Sequence, residues 1–447
     1  MKSIHFVGIF GSGMSAIAQY LALTNNLVTG SDRLGHSPDS LKIKSCLEQA
    51  GCRLFLQDGS GITENTDYVV VSTAIEDTNP DIAAAKLLGI PILHRSDILA
   101  QIIASKKSVV VAGTSGKSTV TAMIFELLKG AGKDPSLISG AALRSLQSDV
   151  LIGNAYVGGS DLLVVEVDES DGTLVKYHPF GAVILNLSKD HKPEDVVLQM
   201  FETLVSQSEW SIKNGDDPKL ATLRTPLTFG FLGGDFYATK KDGAKTSSSL
   251  LIDDVLFTIS APGDHNASNL LAALAVCQKL GCNLLELSQA AKSYQGVDRR
   301  FVIHSLENGI TVIDDFAHNP EKIRAALTAA KELSPSLIAL FQPHGFGPTR
   351  FLKDDYAHMF LDVLRPEDKL ILLPIYYAGG TATKDISSQD LIDLMTGRSF
   401  LAVAPPTRED AIKWVASWAK PGDTVVVMGA RDPSLPGFIQ GVMDGIS

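Results

Sequence analysis

Two apolar runs in this chain, at residues 4–8 and 108–112, empty directly into glycine-rich loops. A strand followed by a glycine turn and a helical pattern opens a βαβ unit, and such units build parallel sheets covered by helices. The two loops lie too far apart to share one unit, so they are assigned to separate domains. Further strand-like runs at 68–72, 162–167, 182–187, 311–315, 337–341, 369–374 and 424–428 alternate with helical patterns. The expected fold is therefore α/β, with doubly wound parallel sheets. A length of 447 residues suits two to four such domains. One boundary is expected near residues 99–107, where a helical pattern stops before the second glycine loop, and another near 296–301, before a fresh series of strands. These cuts give domains at 1–103, 104–297 and 298–447. The polar stretch 240–249 reads as a hairpin or surface excursion inside the middle domain.

The second glycine loop carries the strongest chemical signal. After the strand come Gly113, Thr114, Ser115, Gly116, Lys117, Ser118 and Thr119, and then an amphipathic helical pattern over 120–130. The glycines let the chain turn tightly and aim several N–H groups at one point, where the helix N-terminus adds partial positive charge. Lys117 supplies a full charge for the β- and γ-phosphates of a nucleotide, and the Ser118 hydroxyl is suited to bind Mg²⁺. The loop is shorter than the standard phosphate-loop spacing and is read as a variant of it. Nucleotide binding follows from this loop; a particular reaction does not.

The run 162–167 ends among carboxylates, namely Glu166, Asp168, Glu169 and Asp171. Ligands of open α/β sheets gather at the carboxyl ends of strands, and carboxylate oxygens suit Mg²⁺. The strand at 182–187 leads to Ser188, Lys189, Asp190 and His191. A neutral His191 imidazole could complete a Mg²⁺ shell, but imidazole is an unusual Mg²⁺ ligand, and the alternatives are a helix cap by Asp190 and a surface histidine.

Charge and cysteine content narrow the class. With 39 basic and 50 acidic residues the net charge is −11, which argues against non-specific binding of nucleic acid or an anionic membrane. No stretch approaches the roughly 20 apolar residues of a membrane span. The first residues enter a strand and a glycine loop with no small-residue cleavage site, so a cytoplasmic protein is expected. Cys46, Cys52, Cys277 and Cys282 form no CxxC pair and are read as buried free thiols. The loop from Gly8 to Gly13, with Asp32 placed 19 residues later, loosely fits a nicotinamide-dependent dehydrogenase, where an acid holds the ribose. That reading leaves the loop at 113–119 unexplained.

Taken in order, the motifs resemble those of the Mur ligases: GTSGKST at 113–119, EVDESD at 166–171, NLSKDH at 186–191, HNASN at 265–269, RRF at 299–301, DDFAHNP at 314–320 and QPH at 342–344. Together with the opening HFVGIFGSGM and the pair Ser31 and Asp32, they are most similar to the branch that joins L-alanine to UDP-N-acetylmuramate. The resemblance spans nearly the whole chain. It implies an N-terminal Rossmann-like domain for the UDP-sugar, a central P-loop ATPase domain and a C-terminal Rossmann-like domain for the amino acid. Carried over position by position, Gly11, Ser12, Gly13, Met14, Ser31, Asp32 and Ser170 would bind the sugar substrate. The loop from Gly113 to Thr119 would hold ATP, with Lys117 on its phosphates, and Asn266 and Asn269 would contact the nucleotide. Ser118, Glu166 and His191 would hold Mg²⁺. Arg300 and Asp315 would complete the site on domain closure, and His344 and Arg350 would serve the amino acid. His265 and His318 stand beside these motifs. The implied reaction is attack of a substrate carboxylate on the γ-phosphate, followed by attack of an amine on the resulting acyl phosphate. The partners implied are a UDP-sugar carboxylate and an amino acid or short peptide, used by a monomer or homodimer in peptidoglycan synthesis.

The sequence also departs from that branch. Phe10 replaces a glycine of the first loop and is expected to fill space near the pyrophosphate. Ser115 stands where the branch has histidine. No lysine lies between Lys192 and Lys213, so a carbamylated lysine bridging a second metal is not expected. Gly345 replaces an arginine after QPH, and Arg350 is expected to take over its carboxylate contact; the competing reading pairs Arg350 with Asp354 or Asp355. Gly345 and Gly347 suggest a mobile loop and a roomier pocket, accepting L-alanine alongside larger amino acids or short peptides. The run Gly429, Ala430, Arg431, Asp432, Pro433 differs from the glycine-rich stretch of the branch. The alternatives left open are a ligase recycling a murein peptide onto the same sugar, one using another amino acid, and a non-catalytic nucleotide-binding relative.

Overall fold

The structure is a computed structural model describing residues 1–447 except 36, 38, 39, 189–191, 245, 378–382 and 431; residues 240, 241, 243 and 244 are described by backbone alone. His191 of the expected metal set and Arg431 therefore lie outside the described residues. The chain divides into two units, Met1–Asp298 and Arg299–Ser447.

The first unit opens with an all-parallel five-stranded sheet. Its strands are β1 (Ser3–Val7), β2 (Leu27–Ser31), β3 (Arg53–Phe55), β4 (Tyr68–Val71) and β5 (Ile92–His94), in the order β3-β2-β1-β4-β5. Among the described residues, the helices that accompany it are α1 (Ser12–Leu23), α2 (Leu41–Gln49), α3 (Pro80–Leu87) and α4 (Arg95–Ala104). The chain leaves β1 toward β2 and later returns to its other side as β4, so the first glycine loop sits at the switch point where ligands of such sheets bind. Helix starts follow local chemistry. Asn79 caps α3 by accepting the Asp81 N–H, and His94 with Asp97 forms a capping box on α4.

The same unit continues with an eight-stranded sheet in the order β13-β12-β11-β10-β6-β9-β7-β8. Its strands are β6 (Lys107–Ala112), β7 (Ser136–Ile138), β8 (Ala155–Tyr156), β9 (Leu162–Glu166), β10 (Gly181–Ile184), β11 (Trp210–Asn214), β12 (Leu227–Gly230) and β13 (Phe236–Tyr237). Only β7 and β8 pair antiparallel. The polar stretch is indeed a hairpin, since β14 (Lys240–Ala244), β15 (Ser247–Ile252) and β16 (Val255–Ile259) form a small antiparallel sheet. The helices here are α5 (Lys117–Gly130), α6 (Glu194–Ser206), α7 (Asp264–Lys279) and α8 (Leu284–Ala291). One apolar cluster joins α5 and α7 to one face of the large sheet. On the other face, Val110, Leu163 and Ile184 belong to a cluster that also holds Ile4, Phe6, Ile17 and Ile103. The first two sheets thus share one core.

The second unit has a six-stranded sheet, order β17-β18-β22-β19-β20-β21, parallel except between β17 and β18. Its strands are β17 (Val302–Ser305), β18 (Thr311–Asp315), β19 (Leu337–Gln342), β20 (Lys369–Leu372), β21 (Leu401–Val403) and β22 (Thr424–Gly429). Helices α9 (Pro320–Lys331), α10 (Phe346–Val363), α11 (Ser388–Leu394), α12 (Arg408–Trp418) and α13 (Leu435–Ile446) complete it. Every expected strand run coincides with a strand of one of the three large, mainly parallel sheets.

Candidate functional site

Strand β6 is buried from Ser108 to Ala112 and lies between β10 and β9, so the loop that follows it emerges at the centre of the sheet. Gly113 has φ +143° and Gly116 φ +82°, conformations that cost an L side chain free energy. Space forbids side chains as well. A Cβ on Gly113 would lie 2.9 Å from Leu185 Cβ, and one on Gly116 2.6 Å from Asn269 Oδ1. Gly116 caps α5 without any side-chain hydrogen bond, so the helix N-terminus keeps its character as an anion site. Asn186 fixes the loop from the neighbouring strand end: its Oδ1 accepts the Ser115 N–H at 2.8 Å and its Nδ2 donates to the Ser115 carbonyl at 3.0 Å. Thr114 exchanges hydrogen bonds with the backbone of Ser188, at 3.0 and 3.3 Å.

Lys117 Nζ donates to the Gly113 carbonyl at 2.8 Å and to Glu169 Oε2 at 2.7 Å, with Asp168 Oδ1 at 3.9 Å. Burial acts to lower the pKa of this ammonium, but the Glu169 and Asp168 carboxylates outweigh it and hold Lys117 above its ordinary value. Burial likewise pushes Glu169 up, against the pull of Lys117.

Pairing of β6 with β9 sets Glu166 opposite Val111, one strand from the loop. Ser118 Oγ donates to Glu166 Oε1 at 2.9 Å. Glu166 Oε2 accepts the Gly140 N–H at 2.7 Å and the Ser139 hydroxyl at 3.2 Å. One carboxylate and one hydroxyl, both hard oxygen donors, fit a Mg²⁺ ion that keeps waters and substrate oxygens for its other positions. Among the described residues no cluster of three or more His, Cys, Asp or Glu forms a metal site. Asn266 and Asn269, both buried, lie on α7: Asn266 Nδ2 donates to the Pro262 carbonyl at 2.7 Å, and Asn269 reaches the start of α5 beside Gly116.

At the first loop, Gly8 takes φ +76° and donates its N–H to the Ser31 carbonyl at 2.8 Å. Phe10 has no positive φ, and its ring belongs to the apolar core, contrary to the expectation that it fills the ligand space; it lies in a turn that the Gly11 N–H closes on the Gly8 carbonyl at 3.2 Å. Met14 is buried in the same core. Ser31 is buried too, its hydroxyl donating to the Asp81 carboxylate. Asp32 braces the loop by accepting the N–H groups of Phe10 at 3.0 Å and Leu34 at 2.9 Å. Gly11 and Ser12 are exposed, whereas Gly13 is tightly abutted: a Cβ there would lie 2.5 Å from Arg95 Nη1. Arg95 in turn pairs with Asp171 at 3.0 Å. Ser170 donates its hydroxyl to Asp168 Oδ2 at 2.7 Å.

In the second unit, Arg299 and Phe301 adopt φ +55° and +53°, on either side of Arg300. Asp315 organises this turn by accepting the Phe301 N–H at 2.8 Å and the Ala317 N–H at 2.7 Å. Burial raises the Asp315 carboxyl, opposed by Arg300. The Arg300 guanidinium lies 4.7 Å from the Phe316 ring centre. His344 is buried and edge-on to His318, with ring centres 5.3 Å apart. Gln342 accepts Arg408 Nη2 at 3.0 Å, and Arg408 also pairs with Asp432. Arg350 pairs with Asp385 and donates to the Thr383 carbonyl at 3.1 Å, rather than pairing with Asp354 or Asp355. The mobile loop expected at Gly345 and Gly347 is instead the start of α10: Gly345 supplies the N-cap at φ +73° and Gly347 is helical.

Several residues in these networks were not singled out by sequence reasoning: Arg95, Ser139, Gly140 and Asn186. Asn186 lay inside a recognised motif. The other three carried no local signal, because their role depends on which strands are neighbours.

A phosphate loop at the centre of a parallel sheet, with a carboxylate and a hydroxyl beside it, defines a nucleotide-binding α/β protein of three modules. Family models match along the chain: the Mur ligase family, catalytic domain, over residues 3–107, the Mur ligase middle domain over 111–277, and the Mur ligase, glutamate ligase domain, over 299–431. A protein named UDP-N-acetylmuramate--L-alanine ligase from Jannaschia sp. strain CCS1 is 36% identical, the alignment covering 96% of this chain and 93% of that protein. One of the same name from Acetivibrio thermocellus is 32% identical over 96% and 94% of the two chains. The crystal structure of UDP-N-acetylmuramate-alanine ligase MurC from Thermotoga maritima matches with a TM-score of 0.81 and 25% identity, covering 100% of this chain and 98% of that one. The chain belongs to the Mur ligase family, whose members are ATP-dependent ligases that form amide bonds. Among the described residues no helix is long and apolar enough to cross a membrane.

Proposed function

We propose that this protein joins the carboxylate of UDP-N-acetylmuramate to the amine of L-alanine with consumption of ATP, as a cytoplasmic step of peptidoglycan synthesis. The observation that carries the reading is the loop from Gly113 to Thr119, with Lys117, Ser118 and Glu166 clustered at it, in a chain aligned over 96% of its length with ligases of that name.

The roles follow from the chemistry of each group. The glycine loop and the start of α5 bind the phosphates, and Lys117 neutralises charge on the transferring phosphoryl group. Ser118 and Glu166 would hold Mg²⁺, whose charge would offset that of the phosphates. Asn269 supports the loop from behind, and Asn266 steadies the turn at the head of α7. Gly11 and Ser12, exposed at the switch point of the first sheet, receive the UDP moiety, while Asp32 keeps that loop in shape. Arg300 and Asp315 act from the second unit, Asp315 by fixing the turn that presents Arg300. Arg350 and His344 stand at the carboxyl end of β19 for the amino acid.

Phosphate release measured across a matrix of UDP-sugars and amino acids tests the reading. ATP-dependent release that requires both UDP-N-acetylmuramate and L-alanine is the expected outcome. Release only with another sugar, a preformed peptide or another amino acid overturns this assignment.

A further inference from the structure

Lys117 is the only cation of the loop at 113–119, yet its ammonium is turned onto the protein's own oxygens, 2.8 Å from the Gly113 carbonyl and 2.7 Å from Glu169 Oε2. We propose that Glu169 is an internal stand-in for the phosphates of the nucleotide: it holds Lys117 on the protein and must yield the cation when β- and γ-phosphates arrive. This inference rests on reading 113–119 as the ATP loop.

Three observations carry it. First, the pair is internal, with side-chain exposures of 13% for Lys117 and 5% for Glu169. Two charges withdrawn from water persist only when each satisfies the other, so neither is an idle surface group. Second, Glu169 is separate from the candidate metal pair. Glu166, three positions earlier, directs its oxygens to Ser118, Ser139 and Gly140, and Glu169 directs Oε2 to Lys117. Third, the segment bearing Glu169 is moored independently of Lys117. Asp168 accepts the Ser170 N–H at 3.1 Å and its hydroxyl at 2.7 Å. Asp171 accepts the Thr173 N–H at 3.1 Å and hydroxyl at 2.6 Å, and pairs with Arg95 at 3.0 Å. When Lys117 swings to a phosphate, Glu169 is therefore held near the place it left. Its negative charge then faces the incoming phosphates, and like charges so placed oppose binding.

The contact thus weakens nucleotide binding according to the phosphates that Lys117 reaches. ATP and ADP both meet it; AMP, which lacks the β- and γ-phosphates, does not. The same opposition favours departure of ADP after turnover.

The test is calorimetric titration of the full chain with ATP, ADP and AMP in the presence of Mg²⁺. For Glu169→Gln the dissociation constants of ATP and ADP are expected to fall about tenfold, the scale of one charge-assisted hydrogen bond, with AMP unchanged. Unchanged ATP and ADP affinities, or equal tightening of all three nucleotides, overturn the proposal. A second readout is acylation of Lys117 by acetic anhydride without nucleotide, followed by mass spectrometry. It is expected to rise in Glu169→Gln, because the amine loses the carboxylate that holds it against the protein interior; an unchanged rate counts against the proposal. If Glu169→Gln folds poorly, Glu169→Asp, with its shorter reach, is expected to tighten ATP two- to fivefold by the same reasoning, and no change there overturns it equally. Lys117→Ala keeps the two ideas apart. If it binds ATP as tightly as the unaltered protein, the reading of the loop fails, whatever Glu169→Gln does.

Discussion

Replacing Lys117 with alanine removes the one ammonium that the phosphate loop offers and leaves Glu169 buried without its partner. Loss of a single preorganised charge contact costs roughly 10²–10³ in rate, so phosphate release from ATP, UDP-N-acetylmuramate and L-alanine is expected to fall by about that factor. Glu166→Ala acts differently. It strips the Ser118 hydroxyl of its carboxylate and removes the acceptor for the Gly140 N–H. The Mg²⁺ concentration for half-maximal rate is therefore expected to rise, and titrations that overlay those of the unaltered protein would remove Glu166 from the metal site. Asp32→Ala provides the contrast. Its carboxylate braces backbone N–H groups of the first loop, so its loss is expected to weaken the UDP-sugar and leave the Mg²⁺ titration alone.

Helix α5 begins at a glycine for two reasons, and its first turn reports on both. Gly116→Ala places a methyl group against Asn269 and holds a left-handed conformation at a cost of about 1–2 kcal/mol. The expected result is an ATP affinity about five- to thirtyfold weaker, that free-energy cost converted to affinity, with little change in UDP-sugar affinity, both read by titration. Further along α5, Glu126 accepts the Ser145 hydroxyl at 2.8 Å and the Gln295 N–H at 3.3 Å. Burial lifts its carboxyl above the usual value. A carboxyl raised in the folded state contributes stability below its unfolded pKa, and that contribution is lost as pH rises through the folded pKa. Glu126→Gln keeps an acceptor and a similar shape without the charge. Its melting temperature is expected to exceed that of the unaltered protein near pH 7–8, the gap closing as pH falls toward the unperturbed carboxylate range, about 4.3. An equal difference at all pH values would show that charge is not the cause.

At the scale of the molecule, the division at Asp298 makes a direct prediction. The unit Met1–Asp298 contains the phosphate loop, Glu166, Asn266 and Asn269, and lacks Arg300 and Asp315. A chain ending at Asp298 is expected to bind ATP and to form no amide product, measured by titration and by product analysis. Ligation by that shortened chain would refute a role for the second unit. What could be read in advance follows the same division of scale. Strand runs, the two glycine loops, the hairpin at 240–249 and the order of the motifs are written in consecutive residues, because periodicity and turn chemistry are local. The loop's need for glycine at 113 and 116 was likewise visible before any contact was known. By contrast, Glu166 reaches Ser118 because β9 pairs with β6, and Glu169 reaches Lys117 across 52 positions of chain. Arg350 turned to Asp385, and Phe10 to the core, for a related reason: each found its partner in a distant part of the chain that its own segment does not specify. The sequence by itself determined which elements form and which chemistry the chain carries. Only the tertiary structure decided which cation faces which carboxylate, since that depends on strand order, and strand order is settled by the packing of whole sheets.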